Sequence, residues 1–191
     1  MTEHELIAGL RNADESAFRE LVLLFQDKVF NTSLGFLQHE ADAEDIAQEV
    51  FIQIFRSIHQ FNGLSGLSTW IYRITVTKSL DHLRSKKRKK RIGYIRQLFG
   101  FDNAPLHELT DFNHPGVQLD KKEDAAMLFK LIAQLPENQQ AAFILNKVEE
   151  LSYREIAAIL TISESAVDSL LQRAKQNLRK MIKNNGADRR F

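Results

Sequence analysis

Breaks in this chain are few and gathered. It holds 3 prolines and 8 glycines in 191 residues, and most of that punctuation falls in two places. One is FNGLSG at Phe61–Gly66, and the other runs from Gly93 to Gly116 and includes Pro105 and Pro115. β-Branched runs with period-two alternation are absent, so the chain is predicted to be all-α. The longer cluster of breakers has the composition of a linker. The expected architecture is therefore two small helical domains joined by a flexible linker: residues 1–92, a linker over 93–120, and a C-terminal helix-turn-helix domain over 121–185. The tail NNGADRRF reads as frayed.

Several classes of function are excluded by what the chain lacks. With no cysteine, disulfides, thiolate metal sites and cysteine nucleophiles are out of reach, and a reducing compartment fits. The first residues, MTEHELIAGLRNADESAF, carry acids and only short apolar runs, which suits neither a signal peptide nor a spanning helix. A cytoplasmic protein without direct membrane insertion is expected, at most brought near a membrane by a partner. The histidines at 4, 39, 59, 82, 107 and 114 form no His-x-x-x-His or Glu-x-x-His pair. Asp111 and His114 make one Asp-x-x-His, and it lies in the linker, where a solvated loop is the simpler reading. No glycine-rich phosphate loop or nucleophile elbow is present. Neither an enzyme, a metal nor a cofactor is expected.

The formal net charge of +1 hides a strong segregation: residues 1–60 carry net −7 and residues 61–101 net +9. Local fields can then be large although the total is near zero, which leaves polyanion binding open at particular faces.

The clearest amphipathic helix is predicted over Asp42–His59, with Ile46, Ala47, Val50, Phe51, Ile54 and Ile58 on one stripe. Its opposite face gathers Asp45, Gln48, Glu49, Ile52 and Arg56, with Phe55 at the border. A large aliphatic among acids is either an ordinary exposed side chain or the anchor of a protein-binding face. Near the C-terminus, LSYREIAAILTISESAVDSLLQRAKQNLRKMI reads as two helices and a short turn. Ser152 and Glu155 have the spacing of a capping box and Ser163 is placed to cap the second helix. Ile156, Ile159, Leu160, Val167, Leu170, Leu171, Ala174, Leu178 and Ile182 form the inward stripe. The outer face of the second helix carries Ser165, Ser169, Gln172, Arg173, Gln176, Arg179 and Lys180, residue types that reach base edges and phosphates. The same pattern also occurs in simple packing hairpins.

Three stretches, DAEDIAQEVFIQIFRSI, FNGLSGLSTWIYRITVTKSLDHLR and LPENQQAAFILNKVEELSYREIAAILTISESAVDSLLQRAKQNLRK, occur in this order. In order and spacing they resemble the extracytoplasmic-function (ECF) group of bacterial sigma-70-type sigma factors, over most of the chain. The resemblance implies a subunit that joins core RNA polymerase, reads and opens the minus-10 promoter element with its first domain, and reads the minus-35 element with its second. It implies docking on the β′ clamp helices through Asp45, Gln48 and Glu49, with Ile52 and Phe55 beside them, and a further contact with the β flap. The loop Phe61–Ser68, with Asn62 and Ser68, is similar to the one that receives a flipped base. The helix after it would supply Trp70, Arg73, Thr77, Lys78 and Arg84. The helix-turn-helix corresponds to Tyr153–Gln172, with Ser165, Asp168, Ser169, Gln172, Arg173 and Gln176 facing the minus-35 element. An anti-sigma factor is a further implied partner.

This chain departs from the family pattern at three points. The loop reads NGLSG where an arginine or acid is usual. Asp168 replaces a usual lysine or arginine, and can repel a phosphate or accept from a cytosine amine. Thr161 replaces a common turn glycine, so the turn either avoids positive φ or tolerates strain.

Opening DNA costs a few kcal/mol per unstacked base, which stacking at ~1–3 kcal/mol per base and phosphate contacts can offset. Trp70 and Phe61 near Arg73, Lys78 and Arg84 bring that chemistry together. Trp70 is alternatively a core residue, although Tyr72, Val76, Leu80 and Leu83 already supply a separate buried stripe. The cations from Ser85 to Arg91, including Lys86, Lys87 and Arg88, fit a sequence-independent phosphate clamp. Two other classes remain: a DNA-binding regulator that uses only the helix-turn-helix, and a protein-binding helical adaptor with KKRKKR as a nuclear-import signal.

Overall fold

The computed structural model describes residues 1–98 and 122–184, and among these every regular element is helical. The expected Asp111–His114 pair, most of the linker and the C-terminal tail lie outside the described residues. The N-terminal half holds α1 (Glu3–Arg11), α2 (Glu15–Leu37), α3 (Glu40–Ser57), a single 3-10 turn (Ile58–Gln60) and α4 (Leu67–Leu98). The C-terminal half holds α5 (Lys122–Ile132), α6 (Glu137–Lys147), α7 (Tyr153–Leu160) and α8 (Glu164–Asn184).

Local chemistry explains the starts and stops. The Thr2 side chain accepts the Glu5 N–H while the Glu5 carboxylate accepts the Thr2 N–H, and Ser152 with Glu155 repeats this reciprocal box at α7. Each pair satisfies two of the N–H groups that a helix start leaves unpaired. Asp14 caps α2 through the Ser16 N–H, and Ser163 caps α8 through the Ala166 N–H at 3.2 Å. Gln38 ends α2 and Thr161 ends α7 in the left-handed region, at φ 54° and 57°. Thr161 thus accepts strain and does not avoid it. The α1–α2 corner depends on Gly9, where an added Cβ would lie 2.6 Å from that of Ala17.

The stripe foreseen on α3 is the centre of the first bundle: Ile46, Val50, Phe51, Ile54 and Ile58 are buried against α2 and α4. Tyr72, Val76 and Leu80 are the buried face of α4. α4 does not stop at residue 92 but continues through Gly93 to Leu98. In the second bundle Ile156, Ile159, Val167, Leu171, Ala174 and Leu178 are buried, and α8 packs on α6 and α7. The two halves also meet, α4 against α7 and α2 against α6. The apolar core is consequently continuous from one to the other.

Candidate nucleic-acid and protein interfaces

On α3 the helical period brings Asp45, Gln48, Glu49, Ile52 and Phe55 to one exposed side. Ile52 is 48% and Phe55 44% accessible. The Phe55 ring is held edge-on by Phe18 of α2 at 5.5 Å. Edge-to-face packing fixes the ring yet leaves part of it exposed, giving a firm apolar platform rimmed by acids. Glu49 is engaged by Lys78 Nζ of α4 at 3.1 Å. Asp42, one turn before this face, accepts from Lys86 Nζ at 2.7 Å. Lys86 and the neighbouring imidazoles of His39 and His82 hold the Asp42 carboxyl below its ordinary range, although desolvation, the largest single effect, acts the other way.

The loop between the 3-10 turn and α4 is pinned at both ends by α1. Arg11 donates to the Phe61 carbonyl at 2.6 Å, and the Glu3 carboxylate accepts from the Leu67 N–H at 3.3 Å. Inside it, Asn62 Oδ1 accepts the Leu64 N–H at 3.1 Å, Gly63 takes φ 73°, and Leu64 is left 88% accessible. An Asx turn of this kind projects the side chain that follows it. Ser68 belongs to the first turn of α4, so the loop proper ends at Gly66.

Phe61 requires a correction. It was expected to offer a stacking surface, but it is 4% accessible, with its ring centroid 5.3 Å from that of Trp70. Its ring is spent on the core and on supporting Trp70, which is half-buried. Trp70 is thus neither fully core nor free: one part packs on Phe61 and the rest remains accessible. Farther along α4, Arg73 and Lys78 are half-buried, and Thr77, Arg84, Lys86, Lys87 and Arg88 are exposed. Arg73, Thr77, Lys78 and His82 join Glu49 and Gln53 around a groove of about 570 Å³ between α3 and α4.

On α8, Ser165, Ser169, Gln172, Arg173 and Gln176 are exposed along one face. Asp168 is half-buried and accepts a hydrogen bond from Gln172 Nε2 at 2.8 Å. The amide thus occupies one carboxylate oxygen, and the pair presents one donor and one acceptor in a fixed relation.

Sequence pattern did not anticipate the side chains that meet across the two halves. The Tyr72 hydroxyl donates to Glu149 Oε2 at 3.0 Å. Burial, and then Glu149, push the Tyr72 phenol far above its usual range, and burial raises the Glu149 carboxyl. Arg73 donates to the carbonyls of Ala158 and Ile159 at 2.7 and 3.3 Å. Arg84 grips Glu137 with Nε at 3.1 Å and Nη2 at 2.6 Å, and reaches Asp81 with Nη1 at 3.0 Å. Gln38 donates to the Phe129 carbonyl. Among the described residues no group of acids and histidines is arranged to hold a metal ion, and no helix is long and apolar enough to cross a membrane.

The described residues thus place an aromatic, cationic helix beside an acid-rimmed apolar platform, followed by a helix-turn-helix. Residues 21–89 match sigma-70 region 2 and residues 125–178 match sigma-70 region 4. The chain is 30% identical over 184 residues to the RNA polymerase sigma-H factor of Pseudomonas aeruginosa, an alignment covering 94% of this chain and 93% of that one. It is 28% identical over 176 residues to the ECF RNA polymerase sigma-E factor of Escherichia coli, covering 92% of each. In structure it is similar to the sigma factor RpoE in complex with the anti-sigma factor NepR from Bartonella quintana, with a TM-score of 0.63 and 21% identity. That match covers 87% of this chain and 96% of the other. The chain belongs to the ECF group of the sigma-70 family of RNA polymerase sigma factors.

Proposed function

We propose that the two halves divide the work of promoter use. Residues 1–92 bind core polymerase and open the minus-10 element, residues 121–185 read the minus-35 element, and 93–120 connect them. Asp45, Gln48, Glu49, Ile52 and Phe55 dock on the β′ clamp helices, and the C-terminal half engages the β flap. A base released from the duplex enters the loop beside Asn62 and Leu64. Trp70, supported from behind by Phe61, stacks on the strand, while Arg73, Thr77, Lys78 and Arg84 hold it. Lys86, Lys87 and Arg88 neutralise phosphates on the adjoining duplex. No covalent step belongs to the protein in this scheme; strand opening is driven by stacking and by counterion release. An anti-sigma factor, of the kind bound to the Bartonella relative, restrains the chain in the cytoplasm until a signal releases it.

The observation that carries this reading is the Ile52–Phe55 platform, where a rigidly packed apolar surface faces outward amid acids. Burying it against a partner removes exposed apolar area that the folded chain leaves uncovered. The test is reconstitution. Purified chain with core polymerase is expected to initiate promoter-dependent transcription, and sequencing the transcripts would give the promoter consensus. Ile52→Asp is expected to abolish co-purification with core without changing helicity. Holoenzyme formation by that variant at wild-type affinity would remove α3 from the interface.

A further inference from the structure

Leu64 is the most accessible large apolar side chain among the described residues, at 88%. Single exposed aliphatics are ordinary, but this one is firmly mounted. Both ends of its loop are held by α1, through Arg11 on the Phe61 carbonyl and Glu3 on the Leu67 N–H. Within the loop the Asn62 side chain accepts the Leu64 N–H, and Gly63 turns the chain at φ 73°, a conformation open to glycine at little cost. Arg11, Glu3, Asn62 and Gly63 thus fix the backbone from which Leu64 projects into solvent. Its electrical setting differs from that of the other exposed apolar pair, Ile52 and Phe55. Those two are rimmed by Asp45 and Glu49, whereas FNGLSG carries no acid and opens a segment, residues 61–101, with 10 cations and 1 acid. An apolar tip in a cationic segment suits a polyanion that also offers apolar faces, and DNA with an unstacked step is such a ligand.

We propose that Leu64 is a wedge, which enters the stack of the minus-10 element at the step a base leaves and covers the base face left bare. This rests on the reading of the loop as the one that receives a released base. A leucine side chain has no donor or acceptor, so it does not read a base edge by hydrogen bonding. It fills the gap between two bases, as apolar side chains do in proteins that kink DNA by unstacking a step. The fixed mount favours insertion, because little loop entropy remains to be lost. Leu64 and Trp70 then act at different moments. The wedge lowers the barrier to opening, while Trp70 and the cations of α4 hold the strand once it is open. Arg11 is a positioning residue here, since it acts on the tip only through the loop. It lies on α1, ahead of the residues that match sigma-70 region 2.

The test separates opening from holding. Holoenzyme assembled from core polymerase and the full chain is given one promoter in two forms, continuous duplex and the same sequence with the minus-10 element already unpaired by mismatches. Fluorescence of 2-aminopurine within the element reports opening, and retention of the mismatched form against competitor reports holding. Leu64→Ala is expected to slow opening of the duplex by roughly tenfold and to hold the mismatched form as the parent does. Leu64→Gln, similar in size but polar, should resemble alanine, and Leu64→Met should recover most of the rate. Arg11→Met should show the same selective loss in weaker form, and full duplex opening by it would remove Arg11 from the positioning role. Leu23→Ala, which trims another exposed leucine on α2, should open the duplex at the parent's rate. Opening by Leu64→Ala at that rate, or Leu64→Gln as fast as Leu64→Met, would overturn the wedge. Equal losses on both promoter forms would overturn it too, making Leu64 a contact to the opened strand, and so would a fall in affinity for core, making it a contact to protein. If the parent holoenzyme holds the mismatched promoter no better than core alone, the reading of the loop fails and the wedge with it. If the parent opens and holds while Leu64→Ala matches it, the wedge alone is removed.

Discussion

Thr161 offers the sharpest test of how the helix-turn-helix is built. It terminates α7 at φ 57°, ψ 47°, and the Thr161 and Ile162 N–H groups both donate to the Ala157 carbonyl. The turn therefore needs the left-handed conformation to bring α8 across α7. An L-residue pays about 1–2 kcal/mol to sit there, and a β-branched one lies toward the upper end. Glycine removes that strain but adds roughly 0.5–1 kcal/mol of unfolded-state entropy. Thr161 is exposed, so little packing is lost with its side chain. Thr161→Gly should then stabilise the C-terminal half by about 0.5–1 kcal/mol. For a unit of this size that raises its melting temperature by roughly 2–8 °C. The assay is thermal unfolding by circular dichroism, with hydrogen exchange of the α7 and α8 amides to assign the gain. Thr161→Asn should give part of the effect and Thr161→Val none. A Thr161→Val variant as stabilised as Thr161→Gly, or a Thr161→Gly with no gain, would refute the strained turn.

Further expectations concern packing, charge and DNA. Ile54, fully buried on α3, should cost about 2–5 kcal/mol on truncation to alanine, read from the urea midpoint. Gly9→Ala should cost about 1–3 kcal/mol by pushing α1 off Ala17, and an unchanged midpoint would contradict the close approach. For Glu149, burial raises the docked-state carboxyl above its ordinary 4.5, against the opposing pull of Tyr72 and Lys28. A raised acid stabilises docking fully below its free value and loses that contribution as pH climbs through the raised one. Energy transfer between dyes placed on the two halves should therefore decline as pH rises above about 4.5, and Glu149→Gln should flatten the decline. Glu137 is lowered by Arg84, so its contribution runs the other way, present above 4.5 and lost as pH falls through the lowered value. Arg173→Ala should weaken binding to minus-35 duplex by about 1–3 kcal/mol, read across a salt titration.

The helices were legible in the sequence because each carries its own period. The α3 stripe from Ile46 to Ile58 and the Ser152–Glu155 box are local patterns, and both recur in the structure. The exposed Ile52 was equally legible, since an aliphatic on the wrong face stands out against a regular stripe. What periodicity does not contain is the identity of the surface that meets a face. Arg84 and Glu137 are far apart in the chain, and nothing near either one names the other. Phe61 was misread for a related reason. An aromatic in a polar loop looks available, and only the return of α1 over the loop, through Arg11 and Glu3, shows that its ring is enclosed. The DNA-binding roles of individual residues are implied by the resemblance alone; Thr77, Arg84, Ser165, Ser169, Gln172, Arg173 and Gln176 lie exposed, while Trp70, Arg73, Lys78 and Asp168 are half-buried.

The continuity of α4 has a metric consequence. Trp70 and Lys87 lie on the same unbroken helix, about 17 residues apart, which at 1.5 Å each is about 26 Å. The helix is unbroken between them, so in the proposed function it sets the distance from an unpaired base at one end to a phosphate at the other. At about 3.4 Å per nucleotide step that gauge corresponds to some seven or eight positions of DNA. One residue inserted between Thr77 and Lys86 would lengthen it by only about 1.5 Å but turn the basic end through about 100°. Such an insertion changes the phasing of the two ends far more than their separation.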